Sequence, residues 1–360
     1  MKSVGIHSVG TYLPTEVRTN DWWPEAVVGR WSEKSSGKLD RPAEKQEAES
    51  EGARLVVAAM AELRDDPFKG ARERRVMPEG MLTSDMEIAA AEQAIQRSGL
   101  DRQDIDLVLS STSVPDHLMV PNGCKIHEAL GLPRRSFVLQ MDGACNAFQM
   151  QLSLAKEMIR GGRAKNALLV QSAATTRLMR PEDPMSAWFG DGAAAEVVGP
   201  VAEGFGLLGQ AHEADGSLYE GLVCGIPDRR WYESGAVQAY IIRPELSRRL
   251  LLESVQQSKT LFESALIEAG LQKKDVAFYA GHQGFAWLRK VTQRLMGLEH
   301  ARTLDTFPWA GSLIGANLPL ILDTAAREGL LQPGDVVASF SGASGALVSS
   351  LVFRWGTGST

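Results

Sequence analysis

Two stretches 171 residues apart, EQAIQRSGLDRQDIDLVLSSTS (Glu92–Ser113) and ESALIEAGLQKKDVAFYAGHQG (Glu263–Gly284), follow one plan. In each, a helical pattern ends at Gly-Leu, passes a charged turn with an aspartate, and enters an apolar strand. Asp104 aligns with Asp275. The correspondence continues in order: LGLPRRSFVLQMDGACNA matches MGLEHARTLDTFPWAGSLIG, and AKNALLVQSAA matches PGDVVASFSGA. Three matches in register point to two copies of one unit. Strands alternating with helices predict mainly parallel sheets covered by helices, with sites where the strand ends of the two halves converge. The halves are expected at 1–200 and 201–360.

The region from Asn20 to Gly70 stands outside the repeat. It holds DWWPEAVVGRW, a Lys/Glu/Ser-rich stretch, and EKQEAESEGARLVVAAMAELRDDPF, a helix stopped before Pro67. An amphipathic surface helix with a loop is one reading. A lid in which Trp22, Trp23 and Trp31 cover a pocket is the other.

At 360 residues the chain can bury a substantial core. Its 38 basic and 44 acidic residues give a net charge of −6, which supplies no general attraction to nucleic acid or anionic lipid. Three widely spaced cysteines, Cys124, Cys145 and Cys224, do not make a disulfide framework and suit a reducing cytoplasm. No stretch approaches the ~20 apolar residues of a spanning helix, so no membrane is expected. The six histidines form no HExxH or HxH cluster, so no metal site is expected.

In FVLQMDGACNAFQMQLSLAKEM (Phe137–Met158), an apolar strand runs through Asp-Gly-Ala into Cys145 and then a helical pattern. Free N–H groups and the dipole at a helix start lower a thiol pKa, so a thiolate is expected at Cys145. Cys124 and Cys224 read as core residues. His282 ends the strand VAFYAGHQ and is the candidate general base. By the repeat, PWAGSLIGANLP (Pro308–Pro319) lies opposite the Cys145 turn and turns Ser312 to the same pocket. FSGASGALVSSLVF supplies a glycine turn for an oxyanion. GFGLLG (Gly204–Gly209) fits GxGxxG, but without a following helix or a suitably placed acid it reads as a strand with glycines.

These residues resemble the condensing enzymes of the thiolase fold, specifically the ketoacyl carrier-protein synthase III group. The resemblance rests on GARERRVM, DGACNAF, WFGDGAAAEVV, AHEADGS, GHQG and PGDVVASFSGASGAL. It implies an α/β, thiolase-like fold: two pseudo-symmetric βαβαβ-type halves in a layered α-β-α-β-α molecule. It implies that Cys145 takes an acyl group from a thioester, that His282 is the catalytic histidine, and that Cys145 and Gly342 form the oxyanion hole. Phe285, Phe307 and Trp309 are expected to contact substrate. No bound cofactor is implied; the substrates are acyl thioesters of acyl carrier protein or coenzyme A, and the family is usually homodimeric.

The departures bear on the reaction. Ser312 stands where the family has a catalytic asparagine, while Asn317 lies further along the motif. Losing one preorganised donor to an oxyanion costs on the order of 10²- to 10³-fold. The acceptor is therefore a malonyl-type carbanion, in fatty acid, polyketide or other specialised biosynthesis, or else an amine or hydroxyl. A non-catalytic partner subunit and a thioester hydrolase are the rival readings. Phe285, Trp287 and Phe68 replace polar or basic family residues, which favours a carrier-bound or unusual donor. Arg134, Arg135, Arg160, Arg163, Lys165, Arg289 and Lys290 are candidates for docking an acidic carrier.

Overall fold

The computed structural model describes residues 2–31 and 50–358; the Lys/Glu/Ser-rich stretch at 32–49 lies outside them. One sheet holds, in spatial order, β1 (Ser3–Tyr12), β7 (Asp191–Val201), β6 (Ala167–Ala174), β4 (Leu107–Thr112) and β5 (Phe137–Gln140). The other holds β8 (Gly206–Ala214), β13 (Leu347–Arg354), β12 (Val336–Ala343) and β11 (Val276–Gly281). The two orders correspond strand for strand. The place of β5 is taken in the second sheet by one parallel bridge between Phe278 and Arg302.

The sheets are mixed, not mainly parallel. β4–β5, β4–β6 and β11–β12 are parallel, whereas β1–β7, β6–β7, β12–β13 and β8–β13 are antiparallel. The difference lies in the connections. Between β6 and β7 the chain makes only short 3-10 turns, and β12 passes to β13 through a glycine turn, so each returns antiparallel. The parallel pairs are those joined across helices.

Helices fill three layers. Phe148, Leu152, Ala155 and Ile159 of α4 (Ala147–Arg160) and Leu318, Ile321, Leu322 and Ala325 of α7 (Asn317–Arg327) form the central core with residues of both sheets. Outside the first sheet, α2 (Thr83–Ser98) and α3 (Asn122–Ala129) pack on Val108, Leu168, Val170 and Val197. Outside the second, α5 (Pro244–Ala269) covers Tyr279, Ala338, Phe340 and Val352. With helices on both sides, every residue of β6 is buried, as a sheet covered on both faces requires. This is the α-β-α-β-α layering of the thiolase fold.

In the region before Gly70, α1 (Glu51–Glu62) is capped by Ser50, whose side chain accepts from the Ala53 N–H at 3.1 Å. Its Val56 and Ala59 pack with Val255 of α5 and Leu288 and Val291 of α6 (Leu288–Met296). Trp23 and Trp31 are not a lid. Both are buried in a cluster with Ala187 and Phe68, and their indole N–H groups donate to Ser186 Oγ and to the Glu182 carbonyl. Trp22 stays exposed, with the Arg18 guanidinium 3.8 Å over its ring. The two spare cysteines are not core residues either: Cys124 and Cys224 are exposed, on the outward face of α3 and on the small ribbon β9 (Val223–Gly225)–β10 (Gln238–Tyr240).

The repeat extends to how helix meets strand. A Cβ on Gly10 of β1 would sit 2.2 Å from the Ala90 carbonyl oxygen of α2, and one on Gly209 of β8 would sit 2.0 Å from that of Ala265 in α5. The glycines of GFGLLG thus serve a left-handed turn at Gly204 and a close helix approach at Gly209. Gly10→Ala and Gly209→Ala are each expected to lower stability by about 1–3 kcal/mol or more, from the overpacking cost. Urea midpoints would measure it, and an unchanged midpoint would refute the close approach.

Glu196 of β7 is fully buried on the face that meets the central helices. It accepts from Gln171 Nε2 at 2.9 Å, and desolvation pushes its carboxyl up to about 8. The unfolded chain releases that proton near 4.5. The stability contributed by the protonated acid is therefore complete below 4.5 and declines as pH rises through about 8. Glu196→Gln, which cannot ionise, is expected to flatten that decline in thermal unfolding measured from pH 5 to 8.

Candidate active site

Two turns, one from each half, meet at the centre of the molecule. In the first, Gly143 leads from β5 toward α4; a Cβ there would lie 3.0 Å from Ala147 Cα and 2.9 Å from Met150 Sδ. Ala144 then takes a left-handed backbone (φ 44°), and Cys145 sits in the 3-10 turn Ala144–Asn146 that feeds α4. In the second, Gly311 (φ 68°) precedes Ser312, Ile314 is left-handed (φ 50°), and the 3-10 turn Ile314–Ala316 feeds α7. The turns pack back to back. A Cβ on Gly315 would lie 3.0 Å from both the Ala144 carbonyl oxygen and Ala147 Cβ.

Strand ends of the second half complete the site. Ser341 Oγ of β12 donates to the Cys145 carbonyl at 2.8 Å, and Gly342 follows it directly. The His282 N–H, just past β11, donates to the Phe340 carbonyl at 2.9 Å, so His282 is held beside the strand that grips the cysteine turn. Ser312 N–H donates to the Trp188 carbonyl at 2.7 Å, and Ser312 carbonyl accepts from the Gly190 N–H at 3.1 Å. Cys145, His282 and Gly342 are thus on segments bonded through β12, and the turn after Ser312 packs against the cysteine turn at Gly315.

Of the residues expected to contact substrate, Phe285 is half-buried, stacked on Trp287 at 5.4 Å between ring centroids, with Trp188 edge-on at 5.8 Å. Trp309 is half-buried and donates its indole N–H to the Asp305 carbonyl. Phe307 is enclosed at 1% exposure.

Gln283 was not singled out in the sequence, yet it ties the site together. Its Oε1 accepts from the N–H groups of Thr306 and Phe307, its Nε2 donates to the Leu304 carbonyl, and its own N–H donates to Asn317 Oδ1 at 2.7 Å. Asn317 Nδ2 donates to Thr306 Oγ1. The Asn317 amide is therefore committed at both ends and does not replace the missing asparagine. Only the dipeptide HQ in GHQG could have signalled this buckle.

The electrostatics differ from the sequence expectation. The half-buried Cys145 is not a resting thiolate: desolvation pushes its thiol up to about 12, opposed only by a backbone hydrogen bond. The helix α4 begins two residues later, and the Asn146 side chain donates to Ser349 Oγ instead of capping it. Burial likewise lowers His282 to about 4, so its ring is a neutral imidazole at pH 7. His282 Nδ1 and Ser312 Oγ are buried with no hydrogen-bond partner among the described residues. The pair at rest is thiol and imidazole, with charge arising only as the sulfur attacks.

The basic candidates do not form a patch at this site. Arg134 and Arg135 precede β5, and Arg163 and Lys165 precede β6, at the strand ends opposite the cysteine turn. Arg289 is held by both carboxylate oxygens of Asp305 at 2.8 and 2.6 Å. Among the described residues, no cluster of three His, Cys, Asp or Glu could hold a metal ion, and no helix is long and apolar enough to cross a membrane.

Known proteins are similar to this chain. The description "3-Oxoacyl-[acyl-carrier-protein (ACP)] synthase III" matches residues 139–216, and its C-terminal counterpart matches 266–355. A β-ketoacyl-[acyl-carrier-protein] synthase III of Roseiflexus sp. (strain RS-1) is 30% identical over 293 residues, 79% of this chain and 88% of the relative. The chain belongs to the 3-oxoacyl-[acyl-carrier-protein] synthase III family. It is an acyltransferase of the condensing-enzyme type. Solved structures agree on the fold. That of the Thermus thermophilus synthase III has a TM-score of 0.78 at 24% identity, covering 98% of this chain and 99% of that one. The priming β-ketosynthase of the R1128 polyketide pathway has a TM-score of 0.80 at 22% identity, covering 99% and 97%.

If His282 is the base, the acid limb of acyl loading should lie near its lowered value of about 4, not near 6.5. Protonation removes the base only below that pH, so loading stays level from pH 7 down to about 5. Intact-mass time courses across that range would measure it, and a midpoint at 6.5 would show a solvated ring.

Proposed function

We propose that the protein moves an acyl group from a carrier-protein or coenzyme A thioester to a hydroxyl or amine acceptor, through an acyl-Cys145 intermediate and without decarboxylation. The Cys145 sulfur attacks the thioester carbonyl as its proton passes to His282. The oxyanion takes hydrogen bonds from the N–H groups of Cys145 and Gly342, the donor C–S bond breaks as the carbonyl re-forms, and the departing thiolate takes the proton from His282. The acceptor then attacks the acyl-cysteine, yields its proton to His282, and leaves an ester or amide and the restored thiol.

The observation that carries this reading is Ser312. A buried hydroxyl stands opposite the cysteine turn, and the nearby amide of Asn317 is bonded to Gln283 and Thr306. The Asn317 amide is therefore not free to stabilise the enolate of a decarboxylating malonyl group. The open edge of β5, with Phe137 and Leu139 exposed, supports pairing with a second copy as a homodimer.

The wild-type protein should gain one acyl mass from simple thioesters and retain a malonyl group, while Cys145→Ala gains nothing. Ser312→Asn should gain decarboxylative condensation by one to two orders of magnitude, the worth of one oxyanion donor. Loss of carbon dioxide from malonyl thioester by the wild type at a rate that Ser312→Asn does not raise would reject transfer in favour of condensation.

A further inference from the structure

The cysteine turn rests on a row of three side chains. Ser341 of β12, Ser349 of β13 and His212 of β8 lie directly opposite one another across the second sheet, and so share one face. Ser341 Oγ donates to the Cys145 carbonyl. Ser349 Oγ accepts from Asn146 Nδ2 at 2.7 Å, and His212 Nδ1 lies 2.7 Å from the same oxygen. The Asn146 N–H closes the turn on the Gly143 carbonyl at 2.8 Å, so Asn146 links the row to the backbone beside Cys145. Asn146 Oδ1 has no partner among the described residues, which leaves Ser349 as the hold on that buried amide.

The hydrogen bonds of this row have one consistent order. An amide N–H can only donate, so Asn146 fills one lone pair of Ser349 Oγ. The single Ser349 proton is left for His212 Nδ1, which accepts it. The ring proton then sits on Nε2 and goes to Ser153 Oγ of α4 at 3.1 Å. Were it on Nδ1, the Ser349 hydroxyl proton would face no acceptor in the row. Partial desolvation holds the His212 pKa below its usual 6.5, against the carboxylate of Glu268, so the ring is neutral at pH 7 as this order requires. The turn needs such support, because Ala144 beside Cys145 is left-handed (φ 44°) and that backbone keeps its shape only where neighbours fix it. His212 itself is exposed, at the rim of a groove lined by Met141, Met150, Leu154 and Leu347, so changing it leaves the core intact.

We propose that His212 is a positioning residue for acyl transfer: by accepting the Ser349 proton it fixes the hydroxyl that holds Asn146, and with it the direction of the Cys145 sulfur and N–H. It acts through Ser349 and Asn146, without touching substrate. This assignment rests on acyl transfer through Cys145 for its chemistry.

The test follows acetyl loading of the full chain from a small thioester by intact mass, over a range of thioester concentrations. His212→Asn places an amide oxygen where Nδ1 stands and keeps an acceptor for Ser349, whereas His212→Gln reaches only the Nε2 position and loses it. His212→Gln should load about threefold to tenfold more slowly at saturation, the worth of one hydrogen bond, with half-saturation unchanged. His212→Asn should keep most of the rate. Ser349→Ala should lose at least as much as His212→Gln, and adding His212→Gln to it should cost nothing more, because both break one chain. Equal loading by wild type and His212→Gln, equal losses in the Asn and Gln variants, additive losses in the double variant, or a raised half-saturation at full rate would each overturn the assignment. Melting temperatures check folding; if the buried Ser349→Ala does not fold, the contrast between Asn and Gln at the exposed position 212 decides alone. Failure of the wild type to load overturns the acyl-cysteine reading and takes this assignment with it, whereas the other results leave that reading standing.

Discussion

The site depends on one contact: the 3-10 turn that carries Cys145 pressed against the 3-10 turn that follows Ser312, close enough that a Cβ at position 315 would lie 3.0 Å from the Ala144 carbonyl oxygen. Each turn needs a left-handed residue that is not glycine, Ala144 in one half and Ile314 in the other. Such backbone persists only where the surroundings hold it. Here the holding groups come from the opposite half: Ser341 Oγ grips the Cys145 carbonyl, and Gly315 presses on Ala144. Neither half could build the site alone.

Around that contact, polar groups divide into two kinds. Gln283, Asn317, Thr306 and Ser341 are bonded to backbone or to each other and act as fasteners. His282 Nδ1 and Ser312 Oγ are buried and, among the described residues, unmatched. A protein tolerates such breaches of hydrogen-bond satisfaction mostly where function requires them. The same desolvation keeps both the thiol and the imidazole uncharged, so the site waits in a neutral state and develops charge only under attack.

Much of this was legible in the sequence because it was periodic. The Asp104/Asp275 repeat revealed the two halves, since a helix, a charged turn and an apolar strand leave the same pattern twice. Cys145, His282 and Ser312 were singled out from their turns; the structure bonds the cysteine turn and His282 to β12 and packs the turn after Ser312 against the cysteine turn. What could not be read were properties that depend on what lies across space. Strand direction in β6–β7 turned on a connection without a helix. The Cys145 proton turned on burial, and Trp23 and Trp31 became core because Phe68 and Ala187 lie against them. The grip of Gln283 has no local pattern at all.

Two buried acids, Glu196 in the first sheet and Glu87 on α2 packed against it, make folding a proton-binding reaction. Glu196, raised to about 8, and Glu87, raised to about 7 and bonded to Ser172 and Asn122, keep protons near neutrality that the unfolded chain gives up. Unfolding at pH 7 thus releases on the order of one proton or more to the solution. The heat absorbed on melting then includes the ionisation enthalpy of whatever buffer receives it, so the calorimetric enthalpy differs between phosphate and Tris even where the melting temperature is the same.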